Sequence, residues 1–184
     1  MYKRPAILVG GGAYDSRETI EAWAIKYNIP VFRTWNGLDV ITDDSPVFCG
    51  TVGTYGGIGR NLGIQNCDLL YVFGSRLSGR ILGGMPETFA RGADILHVDT
   101  DKSALQFSER MTITFHKSID EYLQDPLITN GNDYLIQCKE WLKYDPVKPE
   151  HFETVHSYGV MRRFSEYLPN NAIVVYDTGG NAIM

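Results

Sequence analysis

The residues best suited to chemistry gather between Val47 and Arg80. Gly50, Gly53, Gly56, Gly57 and Gly59 let the backbone take positive φ and come close to another group. A helix starting near Gly57 would aim free N–H groups at that loop, and such a terminus suits a phosphate or another anion. Arg76 and Arg80 follow the apolar run Leu69–Phe73 and Gly74, on the side where open α/β sheets bind ligands. A guanidinium pairs bidentately with phosphate; the other use for this pair is surface or inter-domain salt bridging. Asp99 closes another apolar run, where it could accept from a ribose hydroxyl or simply cap a helix. Gly10-Gly11-Gly12 closes the first apolar run. It is not a G-x-G-x-x-G fingerprint, because Asp15 holds the last place, so bare turn and nucleotide contact both stay open.

Other chemistry is absent from the pattern. There is no phosphate-binding G-x-x-x-x-G-K-[ST] loop and no nucleophile elbow. His97 sits inside a strand pattern and reads as structural. His116, His151 and His156 lack the carboxylate or cysteine spacing of a metal site. No catalytic residue and no metal ligand are therefore assigned. Cys49, Cys67 and Cys138 are odd in number and far apart, which fits reduced thiols in a cytoplasm better than disulfides or zinc. With 17 Lys and Arg against 22 Asp and Glu, the formal net charge is −5, which argues against nucleic acid as partner. No apolar run reaches membrane-spanning length. The start, Met-Tyr-Lys-Arg-Pro, leads straight into a strand and predicts no signal peptide.

These residues need elements to hold them. Ala6–Val9 reads as a buried strand, with Asp15 and Glu18 as a capping box for a helix striped by Ile20, Trp23, Ala24 and Tyr27. Asn28 and Pro30 end that helix, and Val31–Arg33 is a short second strand. The Val47–Arg80 stretch supplies a glycine loop, a short helix and the strand Leu69–Phe73. Pro86–Arg91 predicts a short helix, Asp94–Asp99 a buried strand, and Asp101 or Thr100 a cap for a helix through Leu105. Met111–Phe115 predicts an edge strand, followed by a Ser118/Glu121 capping box. Strands alternating with helices mean an α/β fold with a mostly parallel sheet. Residues 1–128 form this domain, and residues 129–153 are a helix and a linker. In residues 154–184 Val160, Met161, Phe164, Tyr167 and Leu168 stripe a helix, and Ala172–Tyr176 predicts a buried strand. One helix and one strand cannot make a core, so this last piece reads as the cut start of a second α/β domain.

Five segments in this order resemble a known family. They are the glycine turn with Ile-Pro-Val-Phe-Arg-Thr, then Gly-Thr-Val-Gly-Thr-Tyr-Gly, then Cys-Asp-Leu-Leu-Tyr-Val-Phe-Gly-Ser-Arg, then His-Val-Asp-Thr-Asp, and Ala-Ile-Val-Val-Tyr-Asp-Thr-Gly-Gly-Asn. Together they resemble the central domain, and the opening of the C-terminal domain, of thiamine-diphosphate-dependent enzymes of the acetolactate synthase large-subunit kind. The resemblance implies a six-stranded Rossmann-like sheet that holds FAD, ADP or nothing, inside a three-domain chain that forms homo-oligomers. It implies thiamine diphosphate and Mg²⁺ in the parent enzyme, with a 2-oxo acid such as pyruvate as substrate. The remaining domains of the same polypeptide would be this piece's partners.

By the same resemblance, Gly11 and Gly12 would lie under the dinucleotide, with Thr34, Trp35 and Asn36 near its ribityl or flavin portion. Val52 to Gly56, including Gly53 and Tyr55, would run along the flavin. Gly74, Ser75, Arg76 and Arg80 would meet phosphates and ribose, and Asp99 the adenosine ribose. Gly179, Gly180 and Asn181 would approach thiamine diphosphate. Two departures stand out. Thr54-Tyr55 replaces the family's common Met-His, which weighs against FAD, and Gly180-Asn181 replaces a common Gln-His. The family's metal motif and its catalytic Glu belong to stretches outside this sequence, so the fragment alone is expected to be inactive and structural. The alternative is a non-catalytic module that binds FAD, ADP or NAD, or serves only as scaffold.

Overall fold

The first apolar run forms β1 (Pro5–Val9), buried along its whole length. In this computed structural model, residues 2–54, 56–105, 112–144 and 147–175 are described. The other strands are β2 (Val31–Arg33), β3 (Phe48–Thr51), β4 (Leu69–Phe73), β5 (Asp94–Asp99) and β6 (Ile113–His116). They build one six-stranded sheet in the order β3-β2-β1-β4-β5-β6, with every pairing parallel. This is the doubly wound, Rossmann-like α/β order, in which chain direction along the sheet reverses between β1 and β4.

Helices fill the crossovers: α1 (Arg17–Tyr27), α2 (Ile58–Gln65), the single turns α3 (Gly79–Leu82), α4 (Lys102–Leu105) and α5 (Ile119–Tyr122), and then α6 (Asn132–Leu142). Alternate residues of each strand point to opposite faces, so the sheet has two cores. On one face Ile7, Val9, Tyr71 and Phe73 pack with Ile20 and Trp23 of α1 and Tyr122 of α5. On the other Ala6, Leu8, Leu70 and Val72 pack with Ile64 of α2 and Tyr134 and Cys138 of α6. Burial on both faces is why β1 and β4 read as unbroken apolar runs.

Several local expectations shift. The expected Asp15–Glu18 box does not form: a 3-10 turn, Gly11–Ser16, precedes α1, which has Ser16 at its N-cap and no side-chain cap. Ser16 Oγ instead donates to Asp120 at 3.0 Å. Asn28 ends α1 in the left-handed region at φ 52°, as its type favours. Pro86–Arg91 yields only a 3-10 turn, Pro86–Thr88. β3 is not expected from the sequence, which reads its residues as part of the glycine loop. β6 starts at Ile113, one edge of the sheet, with three of its four residues exposed. Ser118 Oγ accepts from the Glu121 amide at 3.1 Å and caps α5.

The chain divides into two units, residues 1–144 and residues 145–184. In the first, α6 packs against α2 and β3. In the second, a 3-10 turn, Pro149–Phe152, precedes α7 (Ser157–Tyr167). Val160, Phe164 and Tyr167 of its expected stripe are exposed. The buried strand expected at Ala172–Tyr176 is not found: residues 172–175 are exposed and outside any strand, and Tyr176 lies outside the described residues. A strand needs a neighbour to satisfy its backbone, and this unit offers none among its described residues. Among the described residues no helix is long and apolar enough to cross a membrane.

Candidate functional site

Where the sheet order reverses, between β1 and β4, a crevice lies at the strands' C-terminal ends. It is a cleft of about 520 Å³. The turn after β1 gives it Gly11 and Gly12, and the turn after β2 gives Thr34, Trp35 and Asn36. From the turn after β4 come Gly74, Ser75 and Arg76, with Arg80 from α3 and Asp99 from the end of β5. Sequence reasoning singled out all of these. It named Asp101 only as a cap and passed over Ser78 and Ile81, which also line the cleft.

The glycines have a use that sequence alone hid. The two loops meet backbone to backbone: the Gly10 amide donates to the Phe73 carbonyl at 2.9 Å and the Gly12 amide to the Gly74 carbonyl at 3.0 Å. A Cβ on Gly10 would stand 2.4 Å from the Gly74 oxygen. These glycines bring β1 and β4 together and so form the floor of the crevice. The turn continues through Leu77, which holds a left-handed φ of 48° although it carries a side chain. Its burial in the core offsets that strain, and the neighbouring Arg76 is left exposed at the rim.

Arg76 and Arg80 are both exposed. Among the described residues no ion pair closes either guanidinium. Asp99 is better fixed. Its Oδ1 accepts from the Asp101 amide at 2.9 Å, and its Oδ2 lies 3.9 Å from Nε2 of the fully buried His97. Burial is the main cause that pulls the His97 pKa below its ordinary value, against a smaller upward pull from Asp99. The imidazole is thus neutral near pH 7. The Asp101 carboxyl is held below the usual range, first by its hydrogen bonds from Ser103 and more weakly by Arg76.

The glycine loop after β3 is arranged differently from the anticipated anion cradle. Gly53 borders a separate cleft of about 220 Å³, with Asn61 and Ile81. Gly56 lines neither cleft, nor does the N-terminus of α2 at Gly57 line the larger one. Asn61 of α2 clamps the loop: its Oδ1 accepts from the Gly53 amide at 3.1 Å, and its Nδ2 donates to the Gly53 carbonyl at 3.0 Å. The Thr54 amide donates to the Arg80 carbonyl at 2.7 Å. The loop therefore buttresses α3 from below. Tyr55, Gly179, Gly180 and Asn181 lie outside the described residues.

Arg33, at the end of β2, is a buried cation that sequence reasoning did not single out. Its guanidinium donates to the Ile41 carbonyl at 2.6 Å, pairs with Asp43 at 2.6 Å and stacks 4.4 Å over Phe48. A charge in an apolar strand run was the available signal. Its donors are committed to the 38–43 loop and to Thr51 of β3, so it braces the wall bearing Thr34–Asn36. Among the described residues no group of three His, Cys, Asp or Glu could hold a metal ion. The cleft pairs two accessible guanidinium groups with a fixed carboxylate, a donor and acceptor set that fits a diphosphate joined to a ribose.

Comparison with known proteins agrees with this architecture. Residues 1–125 match the family described as thiamine pyrophosphate enzyme, central domain. The acetolactate synthase large subunit of Cyanidium caldarium is 36% identical over 81% of this chain and 28% of its own length. Acetolactate synthase isozyme 1 large subunit of Escherichia coli is 25% identical over 96% of this chain and 32% of its own. Acetolactate synthase 1, chloroplastic, of Nicotiana tabacum is 28% identical over 99% of this chain and 27% of its own. The chain spans about a third of the length of the curated relatives it matches. It belongs to the thiamine-pyrophosphate-dependent enzymes as a central domain of the acetolactate synthase-like family.

Proposed function

We propose that this chain is the central portion of a thiamine-diphosphate-dependent carboligase or decarboxylase acting on a 2-oxo acid such as pyruvate. Its switch-point cleft holds an adenine nucleotide, either ADP or the ADP half of FAD. The observation that carries the nucleotide reading is the meeting of Arg76, Arg80 and Asp99 on one cleft. In this reading Arg76 and Arg80 hold the diphosphate and Asp99 accepts from a ribose hydroxyl. Gly11, Gly12, Gly74 and Ser75 let the ligand lie close to the loop backbone, and Thr34 and Asn36 bound its other end.

Thiamine diphosphate with Mg²⁺ supplies the electron sink that 2-oxo acid decarboxylation requires. On this chain the resemblance would put that cofactor near Gly179, Gly180 and Asn181, which lie outside the described residues. Residues 154–184 would begin the cofactor domain, and further domains of the polypeptide and further copies would complete the active site. The 184 residues alone are expected to turn over nothing.

A scaffold reading has one observation in its favour. Gly53 and Thr54, in the stretch assigned by resemblance to the flavin side, are closed on Asn61 and Arg80 instead of lying open. Calorimetric titration with ADP and a flavin absorbance spectrum of the purified chain decide between the readings. ADP binding weakened by Arg76→Ala supports the nucleotide site; no binding of ADP or FAD leaves the scaffold. Steady CO₂ release from pyruvate, thiamine diphosphate and Mg²⁺ by this chain alone would overturn its inactivity.

A further inference from the structure

We infer that the cleft selects a nucleotide whose ribose carries no phosphate, and that Asp101, beside Asp99, is the residue that rejects phosphorylated ones. This rests on the nucleotide reading above.

The charges of the cleft are sorted by wall. The cations Arg76 and Arg80 come from the turn after β4 and from α3, and the anions Asp99 and Asp101 from the end of β5 and the turn that starts α4. Both carboxylates are held by backbone amides. Asp99 Oδ1 accepts from the Asp101 amide at 2.9 Å, and Asp101 Oδ1 from the Ser103 amide at 2.8 Å. Neither is free to swing from the wall without giving up a hydrogen bond. A ribose hydroxyl can donate to such a carboxylate. A ribose phosphate brings further negative charge and only acceptor oxygens.

Among the described residues the rest of the cleft offers that phosphate no home. Doubly wound folds that take a phosphorylated ribose place an arginine near the ribose. Here the cleft's arginines, Arg76 and Arg80, are taken by the diphosphate in the reading above, and Arg33 is closed by Ile41, Asp43 and Thr51. Arg76 is felt by Asp101, but its charge there is shared with that carboxylate and with the diphosphate.

The test is a calorimetric titration of the full chain with ADP and with ADP bearing a 2′-phosphate, for the wild type and Asp101→Asn. Asparagine is as good an N-cap as aspartate, so α4 keeps its start while the charge goes. The 2′-phosphorylated ligand should bind about tenfold or more weakly than ADP, and the gap should narrow in Asp101→Asn. It should also narrow in the wild type as salt rises, because a charge barrier is screened and a steric one is not. If ADP binds and the 2′-phosphate makes no difference, or the gap ignores both Asp101→Asn and salt, the inference fails and the nucleotide site stands. If ADP does not bind, the nucleotide reading fails and takes this inference with it.

Discussion

Gly12 and Gly74 touch through their backbones: the Gly12 amide donates to the Gly74 carbonyl at 3.0 Å, and a Cβ on Gly74 would stand 2.3 Å from the Gly12 carbonyl carbon. Gly74 also holds φ at 58°. Backbone cannot yield as a flexible side chain would, so Gly74→Ala should destabilise the fold by about 2–4 kcal/mol, combining left-handed strain with the displaced loop. Urea denaturation measures it, and a loss under about 0.5 kcal/mol, the ordinary range of surface substitutions, would show that the loops are not locked together.

Arg76 and Arg80 should behave in the opposite way. Both are exposed, so alanine at either position should leave the unfolding midpoint unmoved within about 0.5 kcal/mol. The same changes should weaken ADP by about ten- to a hundredfold each, the worth of a charge-assisted hydrogen bond to phosphate. Binding that survives both substitutions would take the diphosphate away from this rim.

How far the sequence could be read follows from burial. β2, β4 and β5 have the residue limits their apolar runs predict, because a strand covered on both faces announces itself in composition. β3 is hidden because Gly50, at φ 112°, interrupts its four residues. That glycine makes room for Arg60, whose Cγ would lie 2.5 Å from an added Cβ. A glycine-rich stretch says that something approaches closely; it does not say whether that is a ligand, a side chain or another loop. Ten residues proposed for the site do share one cleft, because the ends of β1, β2, β4 and β5 converge there. Asp101 was legible only as a cap, since its place in the cleft depends on how the turn after β5 folds back.

Alkaline pH should unfold the protein through its buried acids. Burial is the main cause that pushes the Cys67 thiol from its ordinary 9.0 up to about 12. Below pH 9 the thiol is neutral in both states and its contribution is fully present. Above that, the unfolded chain releases the proton while the folded chain keeps it, so stability falls as pH rises toward 12, by about 1.4 kcal/mol per pH unit for this one group. Tyr71 and Tyr134 are pushed up by burial as well, and they steepen the same limb. Urea denaturation between pH 7 and 11 should show the slope, and Cys67→Ser should flatten it by one proton's share. An unchanged slope in that variant would mean the thiol is already ionised in the native state.

The helix α6 should decide where the folded unit ends. The Tyr134 hydroxyl donates to the Gly63 carbonyl of α2, and its ring meets Trp141 edge to face at 6.2 Å. Cys138 is buried in the same core, with Leu135 packed against it. Gly59 lets the helices close in, since a Cβ there would stand 2.0 Å from the Trp141 carbonyl oxygen. At roughly 1.5–3 kcal/mol per buried large side chain, losing α6 removes about 5 kcal/mol or more. That is comparable with the whole stability of a domain of this size. A chain ending at Tyr144 should therefore unfold in one cooperative transition, whereas one ending at Ile128 should lose that transition or shift it steeply to lower urea. Equal midpoints for the two would place α6 outside the folding unit, and failure of the longer one to fold would deny residues 1–144 their independence.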